Sequence, residues 1–456
     1  MVSSERHILS KSTFMYGCQC PKRLWLHKFK PELKDKKTET KASAFQQGID
    51  VGQLARQRFP NGVDAKPETS YLYHISLAKT QEYINNGHNV IYEAAFQYNG
   101  ILAALDILVK QEDGWYAYEV KSSTKVKPEH ITDAALQYYV ITNLNINLKD
   151  IFILHLNSEY IRQGDLDLNQ LFSATSILDE VKEMQPNIKE KVDELKICLQ
   201  SDSQPNISTG KHCIKPYPCD FQGYCNYKTD VKDYSQTTLI NQQNLTKFVK
   251  SLTYPLYYMD FETWSVPIPE SDSHWPYRQV PFQFSVHKHN FVYVSIRHYD
   301  YLAESTHTPL IEFTETLIKV LGTKGTILVY NKSFENIRLE ELKHDFPHLS
   351  QPISNIQQRL VDLMTPFKNK DYYTPEMKGS YSIKYVLPAL VKDLNYDDLV
   401  IGNGTTASQA FYELKHETDP QVIQSTRNAL LEYCKLDTWA MIKILRKIKD
   451  EISYHF

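Results

Sequence analysis

Between Asn89 and Lys121 the apolar positions fall into three short runs, Asn89–Gln97, Ile101–Lys110 and Trp115–Lys121, broken by Asn99-Gly100 and Asp113-Gly114. Runs of this length separated by turn dipeptides predict three strands joined by tight turns. A helix-spaced stripe over 45–58 (Phe45, Ile49, Val51, Leu54, Ala55) and a second helical stretch over 71–86 precede them. A helix over 129–143, a strand at Ile151–Leu156 and a long amphipathic helix over 175–199 follow. That order predicts a mixed sheet with helices on its faces.

The stretch from Asp230 to Asn244 is polar and has no clear period, which places a boundary there. Beyond it the pattern restarts. A strand is expected at Leu256–Glu262, strands near 282–288 and 291–298, a helix over 309–321, a strand at Thr326–Tyr330 and a helix over 333–343. Over 421–447, Ile423, Leu430, Leu431, Leu436, Ile442 and Leu445 supply the stripe of a last helix. A chain of 456 residues accommodates two such α/β domains, here 1–229 and 251–456, joined by a linker over 230–250.

No apolar run approaches the roughly 20 residues of a membrane helix, and the polar start Met1–His7 leads into no signal-peptide core. The expected compartment is the cytoplasm. There, seven cysteines point to metal binding more than to disulfides. The net charge of −3 selects no partner, but residues 1–41 hold ten Lys or Arg against four acids. That run suits either a patch that tracks phosphates or a solvated loop around Lys34–Lys41.

The cysteines carry a spacing. Five residues separate Cys213 from Cys219 and five separate Cys219 from Cys225, while Cys20 lies far upstream with Cys18 as its competitor. Four thiolates suit a [4Fe–4S] cluster or a structural zinc. They bracket Asp106, Glu119-Val120-Lys121 and Gln137. Glu119 and Lys121, two apart on a strand, share a face, and Asp106 on the preceding strand can come alongside. Two carboxylates there could hold Mg²⁺, with the lysine orienting water or neutralising developing charge.

With these residues, 1–228 resembles the PD-(D/E)xK nucleases of the RecB family, and in particular their iron–sulfur branch. The matching pieces are Cys20-Pro21-Lys22-Arg23, Asp106, Glu119-Val120-Lys121, Gln137-Tyr138-Tyr139 and the cysteine trio. The resemblance implies a restriction-endonuclease-like mixed sheet and metal binding by Asp106 and Glu119. It also implies that Lys121 assists catalysis and that Gln137 contacts DNA or steadies the site. The early helix departs from the family, offering Gly48-Ile49-Asp50-Val51-Gly52 where a histidine is common.

The second half holds another constellation. Asp260 and Glu262 share a strand face, Glu335 follows a strand and opens a helix, and Tyr433 and Asp437 lie four apart on the last helix. Carboxylates converging this way can hold two Mg²⁺ or Mn²⁺ ions, and Tyr433 can position water. Asp362 is ambiguous, reading as a helix cap or as a residue that supports the site from behind rather than as a ligand. The set, with Gly379-Ser380-Tyr381-Ser382-Ile383-Lys384, resembles the DnaQ-like, DEDDy exonucleases of the RNase H fold, with Glu335 standing where aspartate is usual. The leading expectation is a metal-dependent nuclease acting on DNA through two centres. One alternative is a single active exonuclease domain beside a cluster-stabilised module that binds single strands. The other is a non-enzymatic zinc-stapled scaffold.

Overall fold

The computed structural model describes residues 8–35, 39–69, 72–226, 235–291, 295–396 and 399–452, with the side chains of 39–46 excepted. Lys36, Lys37 and the side chains of Lys41 and Phe45, which the sequence reading used, lie outside these. The fold is α/β, in two compact units. One comprises Met1–Asp230 with Val266–Tyr277, the other Val231–Ser265 with Arg278–Phe456.

The first unit is built on seven strands: β1 (Leu9–Ser10), β2 (Val63–Asp64), β3 (Val90–Tyr98), β4 (Ile101–Gln111), β5 (Gly114–Lys121), β6 (Leu148–Leu156) and β7 (Phe172–Ser176). Their order is β2-β3-β4-β5-β6-β7, with β1 joining the start of β4 in parallel. β3, β4 and β5 are antiparallel neighbours, and β6 runs parallel to β5. Asn99 and Gly100 both take positive φ, as the tight hairpin between β3 and β4 requires. The helix Pro128–Thr142 covers one face through Ala134, Ala135, Leu136, Val140 and Ile141, backed by Ile188, Val192 and Leu195. Val51 and Ala55 of the helix Glu39–Arg56 pack with Ile107, Leu154 and Leu156 on the other.

One expectation for this unit changes. The long helix over 175–199 begins instead as β7 and continues as two helices, Leu178–Glu183 and Gln185–Gln200. Pro186, in the first turn of the latter, cannot donate to the preceding turn and suits only a helix start. The basic amino-terminal run folds as helices Lys11–Gln19 and Pro21–Phe29, and two of its cations are spent internally. Lys11 bonds to Glu119, and Arg23 pairs with Asp220 at 2.7 Å.

In the second unit β9 (Leu256–Trp264), β10 (Val280–His289), β11 (Arg297–Leu302), β12 (Thr326–Val329) and β13 (Leu360–Asp362) form one sheet in the order β11-β10-β9-β12-β13. β9, β10 and β11 are antiparallel, while β12 and β13 run parallel to β9. β8 (Leu239–Ile240) pairs with β14 (Tyr372–Tyr373). Tyr257, Met259, Phe261, Phe284, Val286, Ile327 and Val329 face helices carrying Phe313, Leu317, Leu339, Leu342 and Ile356. The helix Pro420–Glu451 packs on β9 and β10, where Gln283 Nε2 donates to the Leu430 carbonyl at 2.8 Å. The expected linker over 230–250 contains β8 and the helix Gln242–Lys250, whose Leu245 and Val249 are buried. Of the strand expected near 291–298, residues 292–294 lie outside the described residues, and the described strand there is Arg297–Leu302. Among the described residues no helix is long and apolar enough to cross a membrane.

Candidate functional sites

The sheet of the first unit opens where its acids sit. β4 and β5 pair up to Ile107 and Tyr118 and then part. Asp106 stands at that opening, and its Oδ2 accepts the Val120 N–H at 2.7 Å. Opposite it on β3 the register steps over Glu93, whose φ of +53° is rare for a residue with a side chain. Glu119 Oε1 accepts from Lys11 Nζ and Lys121 Nζ, each at 2.7 Å, and Oε2 accepts from Gln137 Nε2 at 2.8 Å. Lys121 also reaches Asp133 Oδ2 at 2.7 Å. A cavity of about 430 Å³ lies beside Asp106 and Glu119, lined by Gly48, Gly52, Arg56 and Glu93. Arg56 bonds to both Asp64 and Glu93.

The electrostatics of this centre are nearly self-balanced. Burial alone would raise the Glu119 carboxyl, but Lys11 and Lys121 hold it well below the carboxylate range. Burial, with the Glu119 charge nearby, pushes Asp106 up to about 7. The lysines therefore hold the charge a cation would otherwise neutralise. A buried pair is expensive to break on one side, because the partner is left uncompensated. Glu119→Gln should cost about 3 kcal/mol of stability, at the lower edge of the buried-pair range because both lysines are partly solvated. Urea unfolding of variant and wild type measures it, and coincident midpoints would show that the cluster does not brace the sheet.

Cys20, Cys213, Cys219 and Cys225 line one small pocket, walled by Leu26, Ile207 and Phe221. Cys20 and Cys213 are buried, and all seven cysteines are free thiols. The Gly210 N–H points at the Cys213 sulfur over 3.4 Å. Burial pushes the Cys219 thiol up to about 11. Among the described residues no three cysteine sulfurs come within 4.8 Å of one another. Tetrahedral zinc, with bonds of ~2.3 Å, would hold its thiolates roughly 3.8 Å apart. The sulfurs are thus more widely set than a closed zinc site needs. Cys18 faces the unit's main core instead, and Cys198 packs behind the pocket with Trp25 and Phe221.

In the second unit β12 pairs with β9 only as far as Tyr258, so Asp260 and Glu262 occupy the free edge beyond it. Asp437, on the last helix, comes to them: ligand oxygens of Asp260, Glu262 and Asp437 all lie within 4.8 Å of one another. Oxygens bound to one Mg²⁺ lie roughly 3–4 Å apart, given bonds of ~2.1 Å in an octahedron. The trio is at that scale. Glu335 enters the same pocket from the first turn of the helix Lys332–Asp345, which starts at Asn331 in the left-handed region (φ +88°). Asp362 fixes that turn as a cap, accepting the N–H groups of Asn331, Lys332 and Met364 at 2.9–3.2 Å. Glu335 is 2% exposed, and its Oε2 has no hydrogen-bond partner.

These carboxylates are not balanced. Burial and mutual repulsion raise Asp260 and Glu262 well above the carboxylate range, and burial pushes Glu335 up to about 8 and Asp437 to about 6. Lys384 opposes them from the rim, donating to the Gly402 carbonyl at 2.9 Å. Tyr396 donates to Asp437 Oδ1 at 2.6 Å, and Tyr433 also hydrogen-bonds that carboxyl. The Cys434 sulfur lies 3.7 Å from Asp260 Oδ2. The chemistry of this donor set, all hard oxygen with surplus negative charge, fits divalent cations such as Mg²⁺ or Mn²⁺.

Every site residue read from the sequence lies at one of these three places, and five neighbours were not foreseen. Asp133 had a signal, lying four before Gln137 and so on the same helix face. Lys384 stood within the quoted Gly379–Lys384 segment without a role. Lys11, Tyr396 and Cys434 reach their sites only through tertiary packing.

Comparison with known proteins matches residues 257–382 to the model of a domain of unknown function, DUF2779. That stretch begins in β9 and includes Asp260, Glu262 and Glu335. The chain is also similar to the uncharacterized protein UU173 of Ureaplasma parvum, with 33% identity over 154 residues. The match covers 28% of this chain and 22% of that protein's length.

Proposed function

We propose that this protein is a metal-dependent nuclease whose principal centre is the carboxylate pocket of the second unit. One observation carries the reading: three carboxylates converge within 4.8 Å while a fourth, Glu335, is buried beside them with an unpartnered oxygen. Such a surplus of buried negative charge is costly unless cations compensate it. Asp260, Glu262, Asp437 and Glu335 would hold Mg²⁺ or Mn²⁺, which when bound activates water and stabilises charge on the phosphoryl oxygens. Tyr396 orients Asp437 through its hydroxyl, and Tyr433 is placed to position a water at the pocket. Lys384 offers a cation to a phosphate at the rim. The strand order 3-2-1-4-5, counting β9 as the first, supports the expected RNase H-like fold and with it the exonuclease reading on DNA.

The first unit admits two roles. Asp106, Glu119, Lys121 and Gln137 lie together as a PD-(D/E)xK centre would need. Yet Glu119 already accepts from two lysines and Gln137, which favours the alternative of a nucleic-acid-binding module. For the four cysteines we propose a [4Fe–4S] cluster, with a structural zinc as the alternative, because all four line one pocket. Seven free thiols accord with a cytoplasmic location.

Glu335 tests the centre specifically. Replacing its buried, unpartnered carboxylate by an amide, as Glu335→Gln, should lower turnover roughly a hundredfold or more with little effect on folding. Asn331→Ala should cost far less, because the Asn331 side chain serves the turn, accepting from Ser333 at 2.7 Å. Steady-state rates on an end-labelled single strand decide it. Wild-type rates for Glu335→Gln would remove Glu335 from the site.

A further inference from the structure

We propose that Tyr381 and Tyr385 form a platform on which unpaired bases of a single-stranded nucleic acid stack as the strand enters the carboxylate pocket. The proposal rests on the hydrolase reading above and names the substrate class of that site.

Tyr381 and Tyr385 are each 45% exposed and lie four residues apart, at the start of the helix Ile383–Leu390. With Lys384 between them they form a short exposed stripe: Tyr381 precedes the cap Ser382, while Lys384 and Tyr385 lie in the first turn, ahead of the buried Val386 and Leu387. Lys384 is itself part of the pocket lining, together with Ile383 and Tyr330. The Tyr330 hydroxyl donates to the Tyr381 carbonyl at 2.8 Å, which fixes the backbone of the stripe to the pocket rim. Among the described residues neither tyrosine ring packs on another aromatic ring or holds a cation. Two large rings are thus left idle beside a lysine and a pocket whose buried Glu335 oxygen is also unpartnered.

A ring held open beside a cation suits a nucleotide. Every base has a π-face, so stacking on aromatic side chains accepts any sequence, while a nearby lysine follows the phosphate. Bases in a duplex are already stacked on one another and cannot use such a platform without unpairing. The stripe therefore favours single strands or frayed ends over duplex. A peptide partner would also find tyrosines, but the acid pocket and Lys384 give it no reason to end there.

The test uses the full chain carrying Asp260→Asn, which preserves the strand, and a twelve-nucleotide oligothymidylate bearing 5-iodouracil. After irradiation, peptide mapping should place the cross-link on Tyr381 or Tyr385, and a duplex of the same length should give much less. In an otherwise wild-type chain, Tyr381→Ala with Tyr385→Ala should raise KM for the strand at least tenfold with a smaller change in kcat. The paired Phe variants should restore it. Cross-links confined to other residues, or an unchanged KM, would overturn the platform. Hydrolysis of bis(p-nitrophenyl) phosphate by the wild-type protein, a diester with no base to stack, reports the hydrolase reading separately.

Discussion

Asp260→Asn should lower metal-dependent hydrolysis by a factor on the order of 10³ while making the metal-free protein more stable. The second half of that result is what separates this site from an ordinary buried cluster. Burial and the neighbouring Asp437, Glu262 and Glu335 charges hold the Asp260 carboxyl protonated well above its usual range. The same holds for Glu262, for Glu335 near 8 and for Asp437 near 6. In the unfolded chain these groups ionise near 4. Between those values the folded state binds protons that the unfolded state has released, so metal-free stability falls as pH rises from about 4 through about 8. An amide at position 260 removes one of these groups and should flatten the slope. Mn²⁺ should displace the protons, so its stabilisation of the wild type grows with pH and is largely lost in Asp260→Asn. Thermal melts at pH 5, 6.5 and 8, with and without Mn²⁺, show all of this at once. A metal-free wild type that gains stability over that range would contradict the assignment.

Cys20→Ala should strip the first unit of its bound metal and markedly lower its melting temperature. Cys20 begins the helix Pro21–Phe29, whereas Cys213, Cys219 and Cys225 lie in the segment nearly two hundred residues later. A cluster held by all four would tie these distant segments together, and its binding energy would become folding energy. Anaerobically purified wild type should be brown, with iron and sulfide in nearly equal amounts. Cys18→Ala should keep the colour, since Cys18 packs into the main core, where burial pushes its thiol up to about 12. Stoichiometric zinc without iron, from iron-replete cells, would replace the cluster with a structural zinc.

How far the sequence led depends on the kind of signal. The strands β3, β4 and β5 were legible to within a residue or two, because apolar runs and turn dipeptides there report local geometry directly. The amino-terminal helices were hidden by their charges. Lys11 was counted in a basic run that could track phosphates, yet its ammonium group bonds to a carboxylate 108 residues away. The strand-to-helix change around 172–178 escaped because residues 175–199 keep a helical stripe through most of their length. The acids of the second centre were found by motif order. Tyr396 and Lys384 were not, because hydrogen bonds and charge contacts that form only in the fold leave no spacing to read. Local patterns specify elements; the partners of a buried charge are set by packing.

The most direct measurement is digestion of an end-labelled single strand by the purified full chain with Mn²⁺, with EDTA, and with Asp437→Asn in place of the wild type. The account predicts stepwise shortening by the wild type in Mn²⁺, none in EDTA and none by Asp437→Asn. An intact strand in Mn²⁺, or wild-type shortening by Asp437→Asn, would contradict it.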